Sequence, residues 1–369
     1  MSDADGRTGP YDLQSALARL DPQANASFQL HELVRQGLDK LPLPGSGATL
    51  KRWQALALVA GHNLSLAKLF EGHTDALAIF AELAEPAAAA APAAPFAPAQ
   101  AGAPAAASTG MAWGVWAAEA APARVIVTPV IGTSVWLDGI KCWCSGAQTL
   151  SHGLLTAWHA EGRGPQLVRV AMHQPGVSVS SGAWAAVGMA GSASVDVTFT
   201  QADAHCVGQI GEYISRPGFW QGAAGIAACW YGGAVVLGNA LHQALLALDP
   251  AARGAFRLAA LGKVDLALHS TAAVLRDAAQ WIDDNPLADA SRVALRARLA
   301  AEACAKCVLD EAGRALGAAA FCRNAPFARA AADLPVFVRQ SHAERDFAAL
   351  AEGVISNGGI PWQLLTPSD

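Results

Sequence analysis

The sequence predicts an α+β protein with an N-terminal helical domain at residues 1–84, a central antiparallel β domain at 111–210 and a C-terminal four-helix bundle at 211–369. Three observations lead to this prediction. Apolar residues recur at helical spacing toward both ends of the chain. Short β-branched runs, punctuated by Gly and Pro, fill the middle. A Pro/Ala-rich stretch at 85–110 separates the first two parts and is predicted to be a linker or a long loop.

The N-terminal part is predicted to be helical because its apolar residues fall on one face. LPGSGATLKRW is typical of a turn followed by a helix start, with Thr49 as a candidate N-cap. Residues 53–83 are apolar with few breakers and are predicted to hold two helices. Within them, GHTDAL at 72–77 is a polar insertion that favours a helix break capped by Thr74 or Asp75. The apolar residues that define the first face are Phe28, Leu30, Leu33, Val34, Leu38 and Leu41.

The middle and the C-terminal parts differ in their hydrophobic pattern. β-Branched runs between turn residues indicate a compact antiparallel domain, whereas long Ala/Leu-rich segments in succession favour a four-helix bundle. The predicted strands are 124–130, 134–137, 167–172, 177–179 and 195–199, and the predicted helices are 217–248, 251–283, 288–318 and 343–354.

The bulk composition excludes several classes of protein. The chain has 369 residues, 53% hydrophobic and 15% charged, enough for two or three domains. Its net charge of −5 argues against nucleic-acid binding, which usually requires a basic stripe. The mean hydropathy is +0.27, but no apolar run reaches the ~18 residues of a membrane span. MSDADGRTGPYDLQ does not resemble a signal peptide, and seven cysteines do not form an even disulfide framework, so we expect a cytoplasmic protein.

The sharpest local motif is LDGIKCWCSGA at 137–147, where a turn leads into a strand that ends near Trp143 and Ser145. Residues two apart point to the same face of a strand. A large aromatic side chain beside a hydroxyl can pack on and hydrogen-bond a flat heteroaromatic ring. The alternative is a core tryptophan beside a polar strand end.

This motif resembles the K-x-W-[IC]-[ST] strand of the acyl-CoA dehydrogenase family, in which the Trp and the hydroxyl lie against the flavin. The resemblance therefore implies that Trp143 and Ser145 contact a flavin ring. WGVWAAE at 113–119 resembles the family's T-E-P strand, with Ala118 where the family has Thr. One flavin hydrogen bond is then missing or made by the backbone.

Further matches follow in order along about residues 28–350, without the linker. ISRPGFWQGAAGIAA resembles the start of the family's first long bundle helix, which implies that Arg216 lies near the acyl pocket. ARGAFRLAALGKVDLAL resembles the R-x-x-F-G segment that reaches the flavin pyrophosphate, often of a neighbouring subunit. Arg253 and Phe256 fit that segment, and Arg257 stands where Gly is usual.

The segment at 314–338 aligns without gaps to a family motif of the form Q-x-L-G-G-x-G-[YF], which continues to a Pro, two Arg and an Asp. The resemblance assigns Gly317 to the flavin site. Arg314, Ala318 and Ala320 replace the expected Gln, Gly and Gly. The matching residues are Leu316, Gly317, Phe321, Pro326, Arg329 and Asp333.

The resemblance implies a function as well as a fold. Family members remove the α-proton of an acyl-CoA thioester and pass the β-hydride to FAD, which would lie between the β domain and the bundle. It further implies fatty-acid metabolism, a homodimer or homotetramer, and an electron-transfer flavoprotein as partner. In the family layout, GHTDAL at 72–77 lies near the acyl tail, so a role in the substrate pocket is as open as the helix break.

The chain departs from the family at the catalytic base. The two positions at which family members carry the catalytic Glu are here Ser341 and Ser215, and an unassisted hydroxyl is too weak a base. Three interpretations stay open: a substituted base, a flavin monooxygenase of the same fold, and a catalytically silent binding or partner subunit. The candidate replacement bases are His342, Glu344 and Glu212.

Several residues have structural interpretations. From Ala343 onward the C-terminal segment is also typical of a helix start, with Ser341 as cap and Glu344 completing a capping box. Cys304 and Cys307 share a helix face but lack partners at zinc-like spacing, so they are predicted to be buried. The remaining cysteines and histidines have simpler predictions: Cys142 and Cys144 in the core, and His152, His159, His173 and His205 in loops or on the surface.

Overall fold

The computed structural model of the chain describes residues 10–22, 24–83, 111–160, 162, 164–182, 184–358 and 362. The predicted linker at 85–110 lies outside the described residues. The chain forms two compact units, and the three-part domain division stays a prediction. The first unit is drawn from Met1–Lys40, Lys68–Ala185 and Gly191–Phe219, and the second from Leu41–Ala67, Ala186–Ala190 and Trp220–Asp369.

The N-terminal helices form as predicted, except at the polar insertion. The expected helix break at 72–77 is wrong, because the fourth helix continues through it. The polar groups there are satisfied without a break: the Nε2 atom of His73 lies 3.1 Å from the Asp39 carboxylate, and the Thr74 hydroxyl donates to the Glu71 carbonyl. The helices are α1 Pro10–Arg19, α2 Ala26–Arg35, α3 Thr49–His62 and α4 Leu64–Glu82.

The middle of the chain forms a seven-stranded, mainly antiparallel sheet, which confirms the predicted β domain. Two pairings that involve the fourth strand are parallel, namely those with the first and the second strand. The fifth strand pairs with both the fourth and the seventh, so the path of paired strands closes on itself. The strands are β1 Trp113–Trp116, β2 Val125–Ile131, β3 Ser134–Cys144, β4 His152–His159, β5 Pro165–Ala171, β6 Val177–Val179 and β7 Val195–Val207.

One core cluster joins this sheet to α4 within the first unit. Its centre is Trp113, which is 1% exposed and lies edge-on to Phe80 with ring centroids 4.8 Å apart. Aromatic pairs in this geometry add to the stabilisation from burial. The rest of the buried cluster is Ala76, Ile79, Leu154, Leu167, Val207 and Tyr213.

The C-terminal part is helical, as predicted, but two helices at 318–337 were missed. Pro326 lies in the first turn of the second of these helices, where its missing N–H costs nothing. The Asn324 side chain caps that helix by accepting the Phe327 N–H at 3.1 Å. The helices are α5 Glu212–Ser215, α6 Gly218–Leu246, α7 Ala255–Asp284, α8 Ser291–Leu316, α9 Ala318–Arg323, α10 Ala325–Phe337 and α11 Glu344–Asn357.

Two helices of the described chain, α6 and α7, are long and apolar enough to cross a membrane by length and composition. From the sequence we expected no apolar run long enough to span a membrane. The two helices pass because a few polar residues interrupt the run but leave the mean hydropathy of the window high. In α6 the apolar window is 72% buried, as in the core helix of a globular protein. In α7 only 22% of the corresponding window is buried among the described residues.

Asp283, near the end of α7, caps the start of α3. Its carboxylate accepts the Thr49 hydroxyl at 2.6 Å and the N–H groups of Gly47 and Thr49, each at 3.0 Å. The predicted N-cap, Thr49, is therefore the first helical residue, and the cap comes from a distant aspartate.

We predict that Asp283→Ala lowers the free energy of unfolding by about 1–3 kcal/mol, because three donors lose their acceptor. The neighbouring variant Asp284→Ala is the control, since Asp284 is exposed and accepts only from Gln280. Urea unfolding followed by circular dichroism measures both. Equal losses in the two variants would contradict a capping role for Asp283.

Candidate functional site

Trp143 and Ser145 do not share one strand face, contrary to the expectation from period-two alternation. β3 ends at Cys144, and Trp143 adopts a positive φ of 59°, which breaks the alternation. The Trp143 side chain is 56% exposed, so the alternative of a core tryptophan is wrong. Its indole is available to stack on a flat ring, and a positive φ in a bulky residue is unusual enough to indicate a functional constraint.

Ser145 belongs to a chain of three buried hydroxyls. Its Oγ atom lies 2.7 Å from Ser194 Oγ, which in turn lies 3.0 Å from Ser192 Oγ. The Ser192 carbonyl accepts the Gly146 N–H at 2.8 Å, and the Ser145 carbonyl accepts the Trp116 indole N–H at 3.1 Å. Sequence reasoning missed Ser192 and Ser194, for which the only signal is the small-residue run GSAS before β7.

Ala118 lies exposed in the irregular segment that follows β1. The next residue, Glu119, accepts a hydrogen bond from the Lys141 ammonium at 2.8 Å. Lys141 belongs to β3, two residues before Trp143. The structure therefore links the segment of Ala118 to the strand that ends beside Trp143.

Arg216 is buried and forms an ion pair with Glu82 at the end of α4. Glu82 also accepts the Gly218 N–H at 2.8 Å, at the start of α6. The Arg216 guanidinium carbon lies 5.2 Å from the centre of the Tyr213 ring. Burial raises the pKa of Tyr213, and the Arg216 charge only partly opposes this shift. Sequence reasoning missed Glu82, whose only signal is a carboxylate at the end of an apolar helix.

Glu212, a candidate base, has a local structural role. Its carboxylate accepts the Gln209 N–H at 2.6 Å, in the turn that begins α5. Ser215, at the end of α5, is exposed. The Ser215 hydroxyl donates to the Glu212 carbonyl at 3.4 Å, and no carboxylate stands among its described contacts.

In the second unit, Ser341 is buried beside a carboxylate that sequence reasoning missed. Glu302, on α8, accepts from Lys306 at 2.7 Å and from Arg339 at 3.0 Å. Burial alone would raise the pKa of Glu302, but hydrogen bonds from Lys306 and Ser341 and the nearby positive charges lower it below its ordinary value. Ser341, which the resemblance places at the position of the base, thus lies beside a well-stabilised carboxylate.

His342 and Glu344 are both exposed. The His342 Nδ1 atom lies 3.3 Å from Asp346 Oδ1, and the backbone N–H of His342 donates to Asp346 Oδ2 at 3.0 Å. The predicted capping box is wrong. The carboxylate that accepts a backbone N–H at the start of α11 belongs to Asp346, not to Glu344. The Ser341 hydroxyl accepts the Ala343 N–H at 3.2 Å and does not cap the helix.

The structure brings the predicted pyrophosphate segment close to the Gly317 segment. The Arg314 guanidinium carbon lies 5.8 Å from the Phe256 ring centre, and Arg257 donates to the Ala315 carbonyl at 3.4 Å. Gly317 ends α8 with a positive φ of 66°. Arg253 donates from Nε to the Leu245 carbonyl at 3.1 Å and is half-buried. Phe256 is exposed.

His152 is neither in a loop nor on the surface, contrary to expectation. It lies on β4, half-buried, with its ring 4.6 Å from the Trp113 ring. Burial, with the nearby charges of Arg169 and His173, lowers the pKa of His152 to about 4. The imidazole is therefore neutral at physiological pH.

The cysteines and possible metal ligands give no further site. Cys144 and Cys304 are buried, as predicted, and burial raises the pKa of Cys304 to about 11. Cys142 and Cys307 are only half-buried. Within the part of the chain that the structure describes, no group of three His, Cys, Asp or Glu residues is placed to hold a metal ion.

Comparison with known proteins gives structural likeness without sequence likeness. No protein-family model matches the chain, and no curated protein matches it by sequence. The dibenzothiophene monooxygenase TdsC from Paenibacillus sp. A11-2, in complex with FMN and indole, superposes with a TM-score of 0.75 at 17% identity, covering 95% of this chain and 98% of that one.

Two other similar structures complete the comparison. Butyryl-CoA dehydrogenase from Megasphaera elsdenii has a TM-score of 0.74 at 13% identity, covering 94% of this chain and 98% of that one. KijD3 in complex with FMN and dTDP-3-amino-2,3,6-trideoxy-4-keto-3-methyl-D-glucose has a TM-score of 0.71 at 18% identity, covering 93% and 91%. The chain therefore has the acyl-CoA dehydrogenase fold.

We predict that Glu302→Gln lowers the free energy of unfolding at neutral pH by about 1–3 kcal/mol, because Lys306 and Arg339 lose a charged acceptor. The lowered pKa means that the ionised carboxylate stabilises the fold above its ordinary pKa of about 4.3. This stabilisation disappears as the pH falls through the lower, folded-state pKa.

Urea unfolding at a series of pH values measures the effect. The wild type should lose more stability on acidification than Glu302→Gln does. Asp310→Asn is the control, because Asp310 is exposed on the same helix and pairs only with exposed Arg314. A pH dependence unchanged by Glu302→Gln would contradict the assignment.

Proposed function

We propose that this protein is a flavin-dependent monooxygenase that acts on a small organic molecule. The observation that carries the proposal is that Ser341 and Ser215, which are not carboxylates, stand at the positions to which the sequence resemblance assigns the base of acyl-CoA dehydrogenases. Removal of an α-proton needs a base held in place, whereas oxygen chemistry on reduced flavin does not. The likeness to a dibenzothiophene monooxygenase supports the same interpretation.

The carboxylates near the base positions do not compensate for the two serines. Glu302 lies beside Ser341, but its lowered pKa makes it a weaker base, and two cations occupy it. Glu212 is engaged by a backbone N–H. Glu344 is exposed to water at the start of α11.

The residues of the first unit fit a flavin ring. The exposed Trp143 indole offers a stacking face, whereas the buried Ser145 hydroxyl bonds to Ser194 and does not share that face. Ala118 can contribute only backbone groups. When bound and reduced, a flavin supplies the electrons that activate molecular oxygen. The sequence resemblance implied FAD, whereas TdsC and KijD3 were crystallised with FMN, so extraction and chromatography of the cofactor should identify it.

A dehydrogenase is the second candidate, because of His342. Asp346 lies 3.3 Å from Nδ1 of the exposed imidazole and can orient it, which leaves Nε2 free to accept a proton. An imidazole suits this role near neutral pH. The substrate would then be an acyl-CoA thioester and the electron acceptor an electron-transfer flavoprotein. The third interpretation, a silent partner subunit, rests on the weakened flavin motifs at Ala118, Arg257 and Ala318.

We predict that the purified protein binds flavin, that acyl-CoA thioesters do not bleach it anaerobically, and that the protein with reduced flavin consumes oxygen when air is admitted. Flavin absorbance and an oxygen electrode measure these steps. Anaerobic bleaching by short- or long-chain acyl-CoA would contradict the monooxygenase and favour a dehydrogenase, and His342→Ala would then show whether His342 is the base. A protein that binds neither FAD nor FMN would contradict both enzymes.

We also propose that a second copy of this chain covers the exposed apolar residues of α7 in a homodimer or homotetramer. Phe256, Leu258 and Leu266 are 55%, 48% and 67% exposed on this helix. Exposed apolar surface concentrated along one helix indicates an interface. The sequence resemblance implies such an assembly as well.

We expect Leu266→Glu to reduce the mass measured by light scattering, because a charge at the interface would lose its hydration. Leu287→Glu is the control, since Leu287 is 85% exposed but lies outside the helices. Its mass should equal that of the wild type. A monomeric wild type at micromolar concentration would contradict the proposal.

A further inference from the structure

Lys141 is a buried ammonium group in the middle of the β domain. It is 3% exposed and lies within β3. Its Nζ atom donates to Glu119 Oε1 at 2.8 Å, to the Thr156 carbonyl at 3.0 Å and to the Thr156 hydroxyl at 2.8 Å. All three ammonium protons thus have acceptors. Burying a charge costs several kcal/mol, and removing one partner leaves that cost unopposed.

Glu119 is the only carboxylate among these acceptors, and it lies in an irregular segment. Residues 117–120 follow β1 and have no strand or helix to hold them. Glu119 also accepts the Thr156 hydroxyl at 2.6 Å and the Trp158 indole N–H at 3.1 Å. Burial would raise the pKa of Glu119, but the hydrogen bonds from Lys141, Thr156 and Trp158 lower it, so the carboxylate is ionised at neutral pH.

The pair therefore ties one irregular segment to two strands. Lys141 belongs to β3, whereas Thr156 and Trp158 belong to β4. One further cation lies close by, because the Arg124 guanidinium carbon stands 4.5 Å from the Trp158 ring centre. An apolar side chain at position 141 would fill the core equally well. The Lys141–Glu119 ion pair also fixes the position of the main chain at Glu119, which an apolar residue at 141 could not do.

The two ends of this pair stand next to the proposed flavin contacts. Ala118 directly precedes Glu119, and Trp143 follows Lys141 by two residues. We propose that Lys141 is a positioning residue for the cofactor: through Glu119 it holds the backbone at Ala118 in register with the Trp143 indole. This inference rests on the proposed flavin site. The missing Thr hydroxyl strengthens the argument, because backbone groups at Ala118 bind only if the segment is held in place.

The first test measures flavin affinity. In Lys141→Met the apolar stem is kept, and Glu119, whose side chain is 38% exposed, can be hydrated, so the variant should fold. We expect the flavin dissociation constant to rise about tenfold, as when a supporting contact around a bound group is lost. Glu119→Gln, which keeps an acceptor oxygen, should give a smaller rise. The matched control is Val168→Ala, which removes two methyl groups from a fully buried site on β5.

The second test needs no flavin. Amide hydrogen exchange at 117–120, followed by mass spectrometry, should be faster in Lys141→Met than in the wild type and unchanged in Val168→Ala. If Lys141→Met and Val168→Ala have the same Tm and lose the same flavin affinity, the proposal is overturned. It is also overturned if amide exchange at 117–120 is the same in Lys141→Met as in the wild type. If the wild type binds no flavin, the proposed function fails. The exchange result then still decides whether Lys141 holds the segment.

Discussion

Each charge that this chain buries must be paired, because an isolated ion in a protein interior costs several kcal/mol. Only 15% of the residues are charged, so the few buried charges have few partners to choose from. Lys141 pairs with Glu119, and Arg216 pairs with Glu82. Each pair joins residues that are far apart in sequence. Both pairs lie in the first unit, where they connect the segments that carry the candidate residues Ala118, Trp143 and Arg216.

The same constraint explains why the carboxylate next to Ser341 is a poor substitute for a catalytic base. Glu302 lies beside Ser341, yet Lys306 and Arg339 already neutralise it. A carboxylate stabilised by cations holds its charge at the expense of proton affinity. Glu302 therefore stabilises the α8 region and is a poor proton acceptor. His342 is better placed to accept a proton, since Asp346 orients its imidazole, but it is exposed to water.

Local pattern was sufficient to predict most of the fold. Helical periodicity gave α6, α7 and α8 to within a few residues at each end. β-Branched runs gave β2, β6 and parts of β3, β5 and β7, whereas β4 was missed. The helices at 318–337 were missed because proline reads as a breaker unless its place in the first turn is known. The break predicted at 72–77 failed for the opposite reason: Asp39, distant in sequence, satisfies His73 inside an unbroken helix.

The candidate site was less predictable, because its geometry depends on long-range partners and on one unusual backbone conformation. The motif around Trp143 was visible in the sequence, but its positive φ was not, and it is this torsion that separates the exposed indole from buried Ser145. Nothing in the local sequence of Ser194, Glu82 or Glu302 marks them as partners of candidate residues.

These ion pairs and hydrogen bonds favour the proposed oxygen chemistry over proton abstraction at Ser341 and Ser215. Proton abstraction would require a base to be rebuilt where the nearby carboxylate is already neutralised by cations. A flavin monooxygenase needs only that the ring be held and that its reactive edge be reachable. The first unit offers an exposed indole, a linked set of hydroxyls and a backbone segment fixed by a buried ion pair. The groups of the first unit fit the proposed flavin site, whereas the serines at 341 and 215 cannot supply the base that a dehydrogenase reaction would need.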